Sequence, residues 1–84
     1  MVKWSKKFKQ IDSVNYEKNG KYRNVYASII YNSILEDFYF CIHQNADHKF
    51  NSLSKYKPFK SEKACIIACE EEVERKIEEW FPSK

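Results

Sequence analysis

Cys41, His43, Cys65 and Cys69 are the four side chains whose types could together hold a zinc ion. Their spacing argues against it. Cys41 and His43 stand two apart, which puts them on one side of a strand, whereas Cys65 and Cys69 stand four apart, on one side of a helix. A helix packed on the apolar side of that strand holds the two pairs away from each other. Neither cysteine spacing has the two-residue gap usual in zinc sites. Nucleophilic thiol chemistry needs a base beside the sulfur and a third group to orient the base. Cys41 and His43 supply the first two, and no third member follows from the sequence. One glycine cannot build a phosphate loop, and neither HExxH nor GxSxG occurs. The expectation is a non-enzymatic protein with no metal and no cofactor.

Lysines interleaved with aromatic rings are the other chemical feature. Lys6, Lys7 and Lys9 lie near Trp4 and Phe8, and Lys18, Lys21 and Arg23 flank Asn19-Gly20. Lys55, Lys57, Lys60 and Lys63 surround Tyr56 and Phe59 just before a helix start, where the dipole also favours anions. Such clusters suit a polyanion or an acidic protein surface. The net charge of +3 is modest, and it is uneven: residues 1–60 carry eleven bases against five acids, residues 61–84 four against seven. Thirteen lysines against two arginines, with abundant Asn, Ile, Tyr and Phe, match AT-rich codons. That bias supplies lysines without selection for binding.

Eighty-four residues, 43% of them apolar and 17% aromatic, make one domain over residues 1–84 with one small core. No stretch reaches the roughly 20 apolar residues of a membrane span. Met1–Lys7 lacks the apolar centre of a signal peptide. Three cysteines, an odd count, do not form a disulfide framework. The expectation is a cytoplasmic protein with reduced thiols and no membrane partner.

Trp4, Phe8 and Ile11 fit a helical stripe and only in part an alternating one, so the first eleven residues read as a short helix or an edge strand. Asn19-Gly20, between runs 13–18 and 21–31, predicts a type I′ hairpin. Phe38–His43 reads as a third strand. Residues 44–60 form a polar connection, long enough to hold some local structure, with Phe50, Leu53, Tyr56 and Phe59 as anchors. Ser61 is an N-cap for a helix to Phe81, with Cys65, Ile66, Cys69, Val73, Ile77 and Trp80 as its apolar stripe and Pro82 as its stop. The fold class is therefore α+β: a three-stranded antiparallel sheet, with an extra N-terminal strand or short helix, packed on a C-terminal amphipathic helix. Strand alternation turns Val25, Ala27, Ile29, Phe38, Phe40 and Ile42 toward that helix. Tyr22, Asn24, Tyr26, Ser28, Tyr39, Cys41 and His43 then line an open face. The candidate partner-binding residues are Tyr22, Arg23, Asn24, Tyr26, Tyr39 and His43, with Lys55, Lys57 and Lys60 beside the helix start.

The run Lys18-Asn-Gly-Lys-Tyr22, then Val25–Ile29, Phe38–His43, Phe59–Cys65 and a closing helix, resembles the AP2-like DNA-binding domain of phage and transposon integrases. The resemblance covers about residues 13–80. It implies a three-stranded sheet that reads the DNA major groove, with Tyr22, Arg23, Asn24, Tyr26, Ser28 and Tyr39 as readers. Arginine is the commonest base reader, and Arg23 alone stands on the sheet. With the modest net charge, this places a protein partner ahead of nucleic acid. The expected role is a small binding module of phage or mobile-element type, an inhibitor or adaptor that could act against a host defence, with a homodimer as a further way to cover the aromatic face.

Overall fold

The computed structural model describes residues 2–43, 52–53 and 58–82. In chain order the elements are β1 (Lys3–Trp4), β2 (Lys9–Gln10), β3 (Asn15–Tyr22), β4 (Val25–Asn32), β5 (Asp37–His43), β6 (Ser52–Leu53) and α1 (Glu62–Trp80). The sheet runs β1-β3-β4-β5-β6, with β2 also on β3, and every pairing is antiparallel. One helix packs across it, so the α+β architecture expected from the pattern is present. The N-terminal segment is two short strands, each two residues long, laid along β3. Between them Ser5 N–H donates to the Asn19 carbonyl, and Ser5 Oγ accepts from Asn19 N–H. Beyond β5, Phe59 exchanges both backbone hydrogen bonds with Phe38 at 2.7 Å. Among the described residues no helix is long and apolar enough to cross a membrane.

Local chemistry fixes α1. Ser61 is extended and its Oγ accepts from Ala64 N–H at 3.2 Å, Glu62 sits in the first turn, and Pro82 follows the Phe81 cap. Cys65, Cys69, Val73 and Ile77 are buried at helical spacing against Val25, Ala27, Ile29, Phe40 and Ile42. Ile66 and Trp80 flank this core as half-buried side chains. Val2 joins the core, and Trp4 closes its edge with an indole N–H donated to Glu70 Oε2 at 3.1 Å. Lys18 lies over the Phe8 ring at 5.0 Å and forms a 2.8 Å ion pair with Glu62.

The first hairpin differs from expectation. β3 runs straight through Asn19-Gly20, and the turn is Arg23-Asn24, closed by the pair Tyr22↔Val25. Gly20 sits opposite Trp4, and a Cβ there would lie 2.6 Å from both Trp4 Cε3 and Val2 Cγ1. Glycine is needed for close approach of side chains and not for a positive φ. Arg23 carries the positive φ instead, at 55°.

The moved turn changes which side Tyr22 occupies. In one continuous strand Tyr22 and Val25 would point oppositely, but as direct cross-strand partners they share a face. Tyr22 therefore packs on the helix side, with the core. The other face is also less open than expected. Ser28 is 0% exposed, Cys41 2% and His43 2%. Ser28 and Cys41 are small and central, each beside larger neighbours two residues along its strand, and Ser28 Oγ donates to Asn19 Oδ1 at 2.9 Å.

Candidate functional site

The residues singled out above fall into separate places. Lys3, Lys21, Tyr26 and His43 form one register row across β1, β3, β4 and β5. Tyr26 stacks on His43 with ring centroids 5.9 Å apart and planes within 10°, and Lys21 Nζ stands 5.0 Å from the Tyr26 ring. Arg23 and Asn24 are exposed in the turn at this end, Arg23 lying over Tyr22 at 5.2 Å. Tyr39 shares the face of Tyr26 and His43 but stands four residues from His43, about 13 Å along β5. Lys60 is exposed next to Phe59, whose bridge to Phe38 puts it toward the far end of the sheet. Lys55 and Lys57 lie outside the described residues, as do Phe50 and Tyr56 among the expected anchors and the side chain of Leu53. The structure thus joins Arg23, Asn24, Tyr26 and His43, turns Tyr22 to the helix side of the same end, and separates Tyr39 and Lys60 from them.

The thiols do not assemble into a reactive group. Cys41 lies on the face opposite Phe40 and Ile42, while Cys65 and Cys69 lie under the helix on the other side. Burial pushes Cys41 and Cys65 up to about 12 and raises Cys69 as well, with Glu17, Cys41 and Cys65, respectively, as the next contributions. A nucleophilic or metal-binding cysteine needs the opposite, an accessible thiolate. Among the described residues no group of three or more His, Cys, Asp or Glu side chains is placed to hold a metal ion.

The other end of the sheet carries a feature that the sequence reading passed over. The β4–β5 loop displays Ile34 and Leu35, 71% and 62% exposed. It is held by Asn32, whose Oδ1 accepts from the N–H groups of both Ile34 and Leu35 at 2.9 Å, and by Glu36 N–H donating to the Asn32 carbonyl at 2.8 Å. Glu36 takes a positive φ of 54° to close the loop. Beside it, the loop before β3 presents Ile11, 49% exposed. Asp12 fixes that loop by accepting from Val14 N–H, Asn15 N–H and Asn15 Nδ2 at 2.8–2.9 Å, contacts that hold its carboxyl below the usual range. The two loops are tied together, Ser33 N–H and Oγ both donating to the Val14 carbonyl at 2.8 Å. The result is an ordered aliphatic tip of Ile11, Ile34 and Leu35 with the exposed carboxylates of Asp12 and Glu36 at its rim. The available signal was the run Asn32-Ser33-Ile34-Leu35-Glu36, an aliphatic pair inside a segment opened by a turn-forming Asn.

No family model, curated protein or solved structure matches this chain.

Proposed function

We propose that the chain is a non-enzymatic binding module that acts on another protein, as an inhibitor or adaptor, and that the aliphatic tip is its contact. The observation that carries this reading is the exposure of Ile34 and Leu35 on a loop whose backbone is fixed by Asn32. Exposed aliphatic side chains on an ordered loop bind with little entropy left to lose. The Asp12 and Glu36 rim selects a partner with an apolar cleft edged by basic residues, and it repels nucleic acid. Shielded, protonated thiols support a role without covalent chemistry and suit a reducing, cytoplasmic setting. Small size and AT-biased composition suit a phage or mobile-element product directed at a host protein.

The test is capture from nuclease-treated lysate of the native host on the immobilised chain, beside the Ile34→Ser/Leu35→Ser variant. Both side chains are exposed, so the variant should melt within about 2 °C of the wild type. One polypeptide held in constant ratio by the wild type, and reduced at least tenfold by the variant, is the expected result. Equal capture by both proteins refutes the tip as the contact. Tight, salt-sensitive binding of duplex DNA with no retained polypeptide refutes the protein-partner reading altogether.

A further inference from the structure

The hairpin end of the sheet gathers three cations, Lys3, Lys21 and Arg23, that no carboxylate among the described residues neutralises. Lys3 and Lys21 are direct cross-strand partners, so two positive side chains share one face at a position where like charges repel. Arg23 follows two residues later in the turn. Among the described residues no carboxylate lies within ion-pair distance of any of the three. Lys21 and Arg23 are held by ring faces, 5.0 Å from Tyr26 and 5.2 Å from Tyr22, contacts that orient a cation and leave its charge intact. Lys3, Lys21, Tyr22 and Arg23 line an open groove of about 460 Å³, within the range of small-ligand sites, and none of the described residues in its wall is acidic. Glu74 and Glu78 belong to a separate cleft on the helix side of Tyr22 and Arg23, and they mark where the positive region stops.

The backbone adds an independent observation. A two-residue hairpin turn takes Gly, Asn or Asp where φ is positive, yet here Arg23 holds that conformation at 55° while Asn24 stands beside it. Arg23 holds this conformation although a long side chain disfavours it, and strain of this kind gathers at binding sites. We infer that this groove binds a phosphate-bearing ligand, its charge divided among Lys3, Lys21 and the Arg23 guanidinium. One carboxylate would satisfy one cation, whereas a phosphate chain presents several charges and accepts the planar fork of arginine on two oxygens. The groove lies at the opposite end of β4 from the aliphatic tip, about 23 Å away, so either site can fail without the other.

The experiment is an amide chemical-shift titration of the full chain at physiological salt, with tripolyphosphate in one arm and ATP in the other. Saturable shifts confined to residues 3 and 20–26 are expected. Equal affinities identify the phosphate chain as the whole ligand, and tighter ATP binding identifies a nucleotide; both outcomes support the site. Lys3→Gln/Lys21→Gln should weaken binding at least tenfold. Arg23→Gly should do the same while the melting temperature holds or rises, a combination that a merely structural arginine would not give. Non-saturating shifts spread over Lys6, Lys7, Lys9 and Lys60 overturn the proposal, as does unchanged affinity in Arg23→Gly.

Discussion

Replacing Gly20 with alanine adds one carbon in the most crowded part of the sheet edge. The new Cβ would sit 2.6 Å from Trp4 Cε3, 2.6 Å from Val2 Cγ1 and 2.9 Å from Trp4 Cδ2. None of these atoms ends a flexible chain. The Trp4 ring is packed on the core and bonded to Glu70, and Val2 is 7% exposed. Accommodation requires one of them to leave its place, an overpacking penalty of about 1–3 kcal/mol. Losing the Trp4–Glu70 bond adds about 1 kcal/mol. Against this, alanine orders the unfolded chain by about 0.4–1 kcal/mol. The balance is a loss of about 1–4 kcal/mol, a large fraction of the stability of a domain this small. Urea unfolding followed by tryptophan fluorescence measures it. The same substitution in a Trp4→Leu background separates close approach from any turn effect. If Trp4 causes the cost, Gly20→Ala should be at least 1 kcal/mol milder there. A Gly20→Ala protein as stable as wild type, or a cost identical in both backgrounds, would refute the reasoning.

The core and the thiols give two further expectations. Val73 is fully buried between helix and sheet, so Val73→Asp should abolish the cooperative thermal transition, whereas Glu74→Asp, one residue on and exposed, should melt as the wild type does. The buried thiols titrate above their ordinary 9.0 in the folded chain, so above about pH 9 the unfolded chain loses protons that the folded chain keeps. Stability is therefore fully present below pH 9 and falls as pH rises from 9 toward 12; in urea melts the fall should be shallower in Cys69→Ala, and a flat profile would show that the thiols ionise equally in both states.

Legibility in the sequence followed the range of the interactions involved. The helix was legible to its ends because Ser61, the stripe Cys65–Cys69–Val73–Ile77 and Pro82 act within a few residues of one another. β5 was legible for the same reason, its alternation being complete within 37–43. Asn19-Gly20 misled because a glycine selected for the approach of Trp4, sixteen residues away, has the same letter as one selected for a turn. The resulting error in turn position was enough to put Tyr22 on the wrong side, since strand parity changes with every residue. That Tyr26 and His43 share a face followed from alternation, but the burial of His43 did not, because it depends on how wide the sheet becomes. Ile34 and Leu35 carry the residue types of a core, and only the Asn32 cap shows that they are turned outward. The Lys3↔Lys21 pair has no local signature at all; it exists through the register of β1.

Residues 2–11 cover β3 in two short lengths, with Ser5 bound to Asn19 between them. Each of these lengths offers an incoming chain only two residues of backbone, too little to template the sideways growth of a fibril. Peeling the segment away would expose the whole eight-residue edge of β3 at once, including the polar run Asn15–Tyr22. The same ten residues that complete the core with Val2 and Trp4 are therefore the guard against cross-β assembly. Proteolytic nicking near Ser5–Lys7, an exposed stretch, would remove that guard without altering a single residue of the remaining sheet.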